Sequence, residues 1–453
     1  MRAPVEAAVV HTAGPVPRVA TSLAAAPHRA ADGSGPHHHA AAHPPSASSS
    51  SAHPSAHPSS HPSAHPSAHP AVITAPAPPI RATAVEVDRG ALCDNARLIA
   101  SLTSTPVIAV VKADGYGHGA PDVARTLEEA GAVAGFAVSL VEEGVQLRDA
   151  GVKLPVMVMG PSQAGGHDEM IGRGLTPVMS DPGELHALTA IARVRGRRLS
   201  VHLKVDTGMS RLGVEPERAP GLIASARANG VDVGGLMTHL ANADGDDPDD
   251  PDCFTWHQLA RFSEVTAAVG EVPGLVRHAA NSSGAMLFPA ARLDQVRVGL
   301  ALYGNGAWAS DALLPAPRRQ ALRLVSHVAQ LRHLDVGARV GYGGLWIASR
   351  PTVAAILPLG YADGLPRRIT GQGAAIIAGR RCPLIGAVSM DIVIADVTDL
   401  HGVEVGDEAV LIGQGRGRFG NDLITVAEVA RWAGVTEYEI TCGLSKRVPR
   451  VYR

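Results

Sequence analysis

Reactive side chains lie directly after short apolar runs in several parts of this chain. Lys112 follows the run Val107–Val111, Lys204 and Asp206 close a second run, and Arg297 lies within a third. Similar positions are held by Arg211, His239, Ser282 and Gly299. A glycosidase needs two carboxylates across the bond it breaks, and a metal hydrolase needs clustered histidines and carboxylates. Neither pattern occurs here, so the sequence predicts neither enzyme class and no metal site.

The same residue types suit a cofactor that combines an aldehyde with a phosphate group. Pyridoxal 5′-phosphate needs a lysine for its aldehyde, a partner for its ring nitrogen and a phosphate cup. A lysine after a buried strand, a nearby serine hydroxyl and glycines after the last strand could meet those needs. Taken singly, Lys112 and Lys204 are also compatible with a buried lysine that pairs with a carboxylate.

Eight apolar runs, each followed by a helical stretch or a loop, set the positions of these residues. The runs are Val107–Val111, Gly135–Ser139, Pro155–Met159, Thr176–Ser180, Leu199–Asp206, Val233–Leu240, Val276–Asn281 and Gln295–Gly299. This repetition is typical of a parallel (β/α)8 barrel, whose active site lies at the carboxyl ends of its strands. An open doubly wound sheet would instead need a GxGxxG turn after its first strand. The first run is followed by Lys112 and ADGYGHG, which favours the barrel.

After about Pro317 the pattern changes to short strands separated by turns, the first of them predicted over Leu322–Leu331, which indicates a mostly antiparallel β domain. The expected fold class is therefore α/β, with an N-terminal (β/α)8 TIM barrel over residues 80–317 and a β domain over residues 318–453. Residues 1–79 are expected to form a disordered extension, because they contain too few large apolar side chains to offset ordering entropy. Eleven of the 21 histidines lie there, so a metal-binding tail is the alternative to a solvated extension.

The composition also bounds the class of protein. Hydrophobic residues make up 45% and charged residues 18%, as in soluble globular proteins. The net charge of −2 gives no field that would recruit nucleic acid or an anionic membrane. There is no run of about 18 apolar residues, and the N-terminus lacks the apolar stretch of a secretory signal. The expected compartment is therefore the cytoplasm.

The block AVVKADGYGHG, at residues 109–119, resembles the pyridoxal-lysine motif of alanine racemases. Further blocks resemble that family's other motifs and occur in the family's order: HLKVDTGMSRLG (202–213), MTHLANAD (237–244), HAANSSG (278–284), VRVGLALYG (296–304), VGYGGLW (340–346), LGYADG (359–364), VSMDIV (388–393) and RVPRVY (447–452). The resemblance covers nearly all of residues 80–453. It implies a pyridoxal-phosphate barrel, a C-terminal β domain and a homodimer whose active sites are shared between subunits.

The resemblance assigns two bases, one for each face of the substrate's α-carbon. Lys112 matches the Schiff-base lysine, which also serves as the base on one face. Tyr342 matches the base on the other face and is contributed by the partner subunit. A free tyrosine titrates near pH 10, so this one needs a cationic neighbourhood to act at neutral pH. The implied enzyme is an isomerase that interconverts L-alanine and D-alanine and supplies D-alanine for peptidoglycan.

The match also assigns cofactor contacts. Arg297 faces the pyridine nitrogen and, because an arginine keeps its proton, limits a long-lived carbanion; His239 holds this arginine. Arg211 reaches the cofactor's phenolic oxygen and the substrate carboxylate. Lys204 matches a lysine that is often carbamylated in the family, with Asp206 as the substitute anion if it is unmodified. The phosphate contacts are the hydroxyls of Tyr116 and Ser282 and the backbone N–H groups of Gly299 and Leu300.

One position departs from the family pattern. The family often has a second phosphate-contacting tyrosine shortly before RVPR, and this chain has Lys446 there, which could bind phosphate as a point charge. The substrate gate is expected from Tyr361, Met390 and Asp391 of the β domain, together with Tyr342. Such bulky side chains leave room for a methyl group, which favours alanine, with serine as a minor substrate.

Two other functions share parts of this pattern. An amino-acid decarboxylase on the same two-domain plan would place a carboxylate at the ring nitrogen, where Arg297 stands. A non-catalytic pyridoxal-phosphate carrier is a single barrel and lacks a β domain, so it would lack Tyr342. The sequence therefore predicts the racemase.

Overall fold

The structure, a computed structural model, describes residues 80–162 and 164–453. The predicted extension of residues 1–79 lies outside the described residues. The described chain begins with strand β1 (Ala84–Val87) and helix α1 (Arg89–Thr103). Among the described residues, no helix is long and apolar enough to cross a membrane.

Eight parallel strands then form a barrel that is nearly closed. They are β2 (Val107–Val110), β3 (Gly135–Val138), β4 (Val156–Val158), β5 (Thr176–Met179), β6 (Ser200–Lys204), β7 (Asp232–Met237), β8 (Val276–His278) and β9 (Val296–Val298). Each strand from β2 to β7 pairs with the next one along the chain, and β9 pairs with β2, so the order is β8-β7-β6-β5-β4-β3-β2-β9. The N–H of Arg297 donates to Ala280 O at 3.0 Å, which joins β9 to the end of β8. The predicted barrel is confirmed.

Helices connect the barrel strands and cover them. They are α2 (Lys112–Tyr116), α3 (Ala120–Glu129), α4 (Val141–Asp149), α5 (Ala164–Gly172), α6 (Pro182–Val194), α7 (Ala219–Ala228), α8 (Phe254–Val269) and α9 (Ser282–Leu287). Short 3-10 turns lie at Pro216–Arg218, Pro289–Ala291, Leu300–Tyr303 and Ala309–Leu313. The strands are almost wholly buried, for example all four residues of β2 and of β3, which explains why they read as continuous apolar runs.

The rest of the chain forms a mostly antiparallel β domain, as predicted. Its strands are β10 (Leu322–His327), β11 (Gln330–Leu334), β12 (Arg339–Val340), β13 (Trp346–Ile347), β14 (Thr352–Leu357), β15 (Ala374–Ile377), β16 (Arg380–Pro383), β17 (Val393–Asp396), β18 (Glu408–Gly417), β19 (Gly420–Ile424) and β20 (Arg450–Tyr452). Its helices are α10 (Val426–Ala433) and α11 (Glu437–Cys442), with 3-10 turns at Tyr342–Gly344, Tyr361–Asp363 and Arg367–Ile369. The largest sheet of this domain has the order β16-β15-β18-β10-β1-β20, and β19 pairs with β18. A second sheet has the order β11-β14-β17.

The strand β1 does not belong to the barrel, although the expected barrel began at residue 80. It lies between β10, which is antiparallel to it, and β20, which is parallel. All four of its residues are buried. An apolar strand of this length fits any sheet equally well, so only its hydrogen-bond partners show that it belongs to the β domain.

The turn that follows β2 is left-handed. Ala113, Asp114, Gly115 and Tyr116 have φ angles of 53°, 55°, 63° and 53°. This region disfavours residues that carry a Cβ, so the turn must be held by its surroundings. A Cβ on Gly117 would lie 2.0 Å from Thr441 O, so the turn packs directly against α11. The lysine at its start is therefore placed by both domains.

Candidate functional site

A cavity of about 690 Å³, its open mouth included, lies where the barrel strands end. Its lining comes from the residues that follow β2, β4, β6, β7, β8 and β9, together with one residue of α11. The lining residues are Val110, Lys112, Tyr116, Met159, Arg211, His239, Asn281, Ser282, Ser283, Arg297, Gly299, Leu300 and Tyr438. Three of these side chains are lysine or arginine, and none of the lining residues is a carboxylate. The lining therefore favours an anionic ligand.

Most of the predicted cofactor contacts lie in this lining. They are Lys112, Tyr116, Arg211, His239, Ser282, Arg297, Gly299 and Leu300. Lys204 is buried at the end of β6 beside them. The predicted gate residues and the second predicted base do not line the cavity of their own chain: these are Tyr342, Tyr361, Met390 and Asp391.

The electrostatic surroundings of Lys112 favour its neutral amine. Burial lowers the pKa of Lys112, the positive charge of Arg211 lowers it further, and the carboxylate of Glu143 raises it. A neutral amine can react with an aldehyde and can accept a proton, whereas an ammonium group can do neither. The site thus places a lysine whose pKa is lowered inside a cationic cavity.

The pKa of Lys204 is lowered more strongly than that of Lys112. Burial, followed by the charges of Arg211 and Arg297, lowers the pKa of Lys204 to about 8. Asp206, the predicted substitute anion, forms no ion pair with Arg211. Its Oδ1 instead accepts the backbone N–H groups of Gly208 at 2.9 Å and Ser210 at 3.1 Å. Asp206 therefore shapes the loop that leads to Arg211, and its role as a substitute anion for an unmodified Lys204 stays a prediction.

Arg297 is held by acceptors that carry no formal charge. Its Nη2 donates to Thr238 O at 2.8 Å and Ala279 O at 3.0 Å, while its Nη1 donates to His278 O at 3.0 Å. Burial lowers the pKa of Arg297 to about 10, which still leaves the group charged at neutral pH. None of the described residues accepts a hydrogen bond from its Nε. A charged N–H group is thus available to the cavity.

Two histidines continue the hydrogen bonds of this arginine into the barrel interior. Arg297 Nη1 lies 2.9 Å from His278 Nδ1, and His278 Nε2 lies 2.8 Å from His202 Nδ1. Because the arginine can only donate, His278 accepts on Nδ1 and carries its proton on Nε2. Burial, then the charge of Arg297, lowers the pKa of both histidines, to about 4 for His202. The predicted holder, His239, is more distant, at 3.4 Å from Arg297 Nη2.

The predicted phosphate cup is assembled around one hydroxyl. Ser282 Oγ accepts the N–H of Gly299 at 3.0 Å and that of Ala301 at 3.3 Å. A Cβ on Gly299 would lie 2.3 Å from the hydroxyl of Tyr116, so only glycine permits this close approach. The ring of Tyr116 lies between those of Tyr303 and Tyr438, at centroid distances of 5.0 and 5.8 Å.

Lys446 is exposed and does not line the cavity, so its predicted contact with the phosphate stays a prediction. Tyr438 of α11 lies in the lining. The family pattern predicts an aromatic residue just before RVPR, but a helix can present one from further away along the chain. Tyr438 in TEYEITC was the available signal. His278 could also have been found, since it opens the block HAANSSG.

The gate residues form a cluster on the β domain. Tyr361 N–H donates to Ser389 O at 3.0 Å, which places Tyr361 beside Met390 and Asp391. Arg447 links Asp391, at 2.5 Å, to the fully buried carboxylate of Asp363, at 3.0 Å. Tyr342 is 74% exposed and Met390 is 52% exposed. Tyr361 and Asp391 are thus anchored by these contacts, while the side chains of Tyr342 and Met390 are exposed in a single chain.

Comparisons with known proteins agree with this geometry. A family model described as "Alanine racemase, N-terminal domain" matches residues 87–306, and "Alanine racemase, C-terminal domain" matches residues 321–452. The alanine racemase of Sorangium cellulosum (strain So ce56) is 42% identical over 386 residues, which are 83% of this chain and 100% of the relative. The alanine racemase of Symbiobacterium thermophilum is also 42% identical, over 82% of this chain and 97% of the relative.

Solved structures give the same result. The alanine racemase from D-cycloserine producing Streptomyces lavendulae superposes with a TM-score of 0.73 and 32% identity. The match covers 82% of this chain and 97% of that one. An alanine racemase of Clostridium difficile 630 gives a TM-score of 0.75 at 29% identity, over 82% of this chain and 96% of that one. From the matched models, the relatives and the shared architecture, the chain belongs to the alanine racemase family.

Proposed function

We propose that this chain is an alanine racemase that interconverts L-alanine and D-alanine with pyridoxal 5′-phosphate. The observation that carries the proposal is the cavity at the strand ends, which contains Lys112, Arg211 and Arg297 and no carboxylate in its lining. That set supports a racemase over a decarboxylase, which would need a carboxylate at the cofactor's ring nitrogen. The β domain that follows the barrel argues against a single-barrel carrier protein.

The residues of the cavity fit this cofactor. Lys112 would hold its aldehyde, and Arg297, with an Nε that no described residue engages, would face the ring nitrogen. The hydroxyls of Ser282 and Tyr116, with the backbone N–H of Leu300, would hold the phosphate, and Gly299 would let the backbone approach the anion closely while its own N–H donates to Ser282. Arg211 would bind the substrate carboxylate.

The chemistry needs a base on each face of the α-carbon. The cofactor, when bound, supplies the electron sink that makes the α-hydrogen acidic. Lys112 takes or returns a proton at its Nζ on one face, and the Tyr342 hydroxyl of the partner subunit does so on the other. Arg297, which stays protonated at neutral pH, would face the ring nitrogen and leave it largely unprotonated, which would weaken the electron sink and limit side reactions. Each of the two groups, Lys112 and Tyr342, removes the α-proton in one direction of the reaction and returns a proton in the other direction.

The active unit is proposed to be a homodimer with shared sites. Tyr361, Met390 and Asp391 lie together on the β domain and Tyr342 belongs to the same domain, yet none of the four lines the cavity of its own chain. A second copy could bring them over the cavity and cover their exposed apolar surface. This arrangement would leave room for the methyl group of alanine and little more, with serine as a minor substrate.

The remaining parts of the proposal concern the wider setting. We place the enzyme in the cytoplasm, where it would supply D-alanine for peptidoglycan. As domains we propose residues 88–317 for the barrel, with residues 84–87 and 318–453 for the β domain, because β1 pairs with β10 and β20.

The proposal is tested by turnover of a panel of L-amino acids by the purified protein, followed by chiral analysis and by absorbance near 420 nm. We expect a yellow protein that converts L-alanine to the racemic mixture, converts serine slowly and leaves longer amino acids unchanged. A protein that releases carbon dioxide, or a yellow protein without turnover, would contradict it.

A further inference from the structure

One carboxylate contacts the backbone immediately after the cofactor lysine. Glu143, in the first turn of α4, accepts the N–H of Ala113 on its Oε1 at 2.6 Å. Its Oε2 accepts the N–H groups of Ser139 at 2.8 Å and Leu140 at 3.0 Å. The side chain therefore uses both oxygens, one on the Lys112 turn and one on the loop between β3 and α4.

The contact lies where the backbone needs support. Ala113 and Asp114 adopt left-handed conformations that cost residues with a Cβ roughly 1–2 kcal/mol each. The N–H of Ala113 lies at the start of this turn, where no carbonyl of the turn itself can accept it. A negatively charged acceptor is stronger than a neutral one, so the carboxylate fixes the peptide that follows Lys112.

The same carboxylate also changes the electrostatics of the cavity. The charged or titratable groups facing Lys112 are Arg211, Lys204, His239, Glu143 and Cys442. Burial and Arg211 lower the pKa of Lys112, while Glu143 raises it. Glu143 is the one carboxylate among these groups. It keeps the lysine a stronger base than the cationic cavity alone would allow.

We propose that Glu143 is a positioning residue for Lys112, which fixes the peptide after the lysine and ties it to the loop between β3 and α4. This proposal rests on the proposed function, because it assumes that Lys112 is the reactive lysine. It requires a true carboxylate at residue 143. A glutamine has one acceptor oxygen and one NH₂ group, so it cannot serve the donors on both sides.

The test compares Glu143→Gln with Glu142→Gln in the full chain. Glu142 is the exposed neighbour in the same helical turn, so its substitution removes the same charge without touching Ala113. In cofactor-free protein, competitive acetylation with acetic anhydride, read by mass spectrometry on the Lys112 peptide, reports the titration of that amine. We expect Glu143→Gln to shift this titration to lower pH and Glu142→Gln to leave it unchanged.

A second measurement follows the hydrogen bond itself. Hydrogen exchange at the amide of Ala113 should be at least about tenfold faster in Glu143→Gln than in the wild type. The variant Glu143→Asp keeps the charge on a shorter side chain, so it should speed exchange while largely preserving the titration of Lys112. If Glu143→Gln folds poorly, Glu143→Asp can still be used to measure exchange at Ala113.

In the cofactor-loaded enzyme, we expect Glu143→Gln to lower kcat on the order of tenfold with little change in KM, because a misplaced base slows the chemical step. An unchanged Lys112 titration and unchanged exchange at Ala113 in the Glu143 variants would overturn the proposal. Neither measurement needs turnover or cofactor. A failure of the Glu143 proposal can therefore be distinguished from a failure of the proposed function. The panel of amino acids tests the proposed function separately.

Discussion

Lys112 and Tyr342 differ sharply in their surroundings, although both are proposed to act on the same carbon atom. Lys112 lies in the cavity of the barrel, while Tyr342 is 74% exposed on the β domain. An exposed side chain contributes little to the stability of its own chain, so its role in chemistry can be tested without loss of the fold.

Substitution of Tyr342 by Phe removes a hydroxyl and little else. We expect Tyr342→Phe to keep its cofactor, with the same absorbance near 420 nm, and to lose activity by about 10²–10⁴-fold, as is typical when a general base is removed. Rates are measured from L-alanine and from D-alanine. Wild-type rates in both directions would show that this hydroxyl is not a base.

Lys204 should react with carbon dioxide. Because its pKa is lowered to about 8, a substantial part of this amine is neutral near that pH, and the neutral amine is the form that becomes a carbamate. With ¹³C-bicarbonate, NMR should show a carbamate signal that grows as pH rises through about 8 and is absent in Lys204→Gln. If the wild-type protein shows no such signal, Lys204 is not carbamylated, and a group other than a Lys204 carbamate must orient Arg211.

Sequence reasoning found the residues that lie next to a strand end within a recognisable block. Lys112, Arg211 and Arg297 are of this kind, and all three line the cavity. It missed Tyr438, which reaches the cavity from a helix of the β domain, and it placed Lys446 there instead. The reason is physical: a contact between two domains depends on how α11 packs against the Lys112 turn, and spacing along the chain does not specify that packing.

At the level of elements, the left-handed turn after Lys112 depends on α11. The backbone of Gly117, at φ 82°, would bring a Cβ to 2.0 Å from Thr441 O. A larger residue must therefore push α11 away from the turn. Since α11 carries Tyr438, such a movement would also open the cavity.

The change Gly117→Ala tests this dependence, with Gly131→Ala as its control. Gly131 also has a positive φ, of 57°, but a Cβ there meets nothing within 4 Å. We expect Gly131→Ala to cost roughly 1 kcal/mol of unfolding free energy from backbone strain alone. Gly117→Ala should cost clearly more, about 3 kcal/mol or above, and should weaken cofactor binding. Equal denaturant midpoints for the two variants would contradict the close packing.

The element pattern of the barrel was predictable because each buried strand is a continuous apolar run. The strands of the β domain were harder to predict from the sequence. The run Leu322–Leu331 suggested one strand, but the chain forms β10 and β11 with a bend between them, where Val328 N–H donates to Asp407 O at 2.9 Å. That bend is imposed by a loop far away in sequence, which the local pattern does not reveal.

On the scale of the whole molecule, shared sites predict recovery of activity in mixed dimers. Lys112→Ala retains Tyr342, and Tyr342→Phe retains Lys112, so a dimer with one chain of each type contains one complete site. After unfolding and refolding together, we expect about a quarter of wild-type activity, because half of randomly formed dimers are mixed and each has one complete site of two.

There are two controls: the same mixture combined without unfolding, and each variant refolded alone. In both, the activity should stay near the low activity of Tyr342→Phe. Size-exclusion chromatography should show dimers in every sample. No recovery in the refolded mixture, with dimers present, would mean that each chain builds its site alone.

The position of β1 has a consequence for how the chain is made. As the protein leaves the ribosome, β1 emerges before the barrel, yet β10 and β20, its partners in the sheet, are synthesised only after it. The barrel can close while β1 waits unpaired, and the central sheet is completed last, through pairings of very long sequence separation. During translation, this strand therefore stays without its sheet partners for longer than the barrel strands stay without theirs.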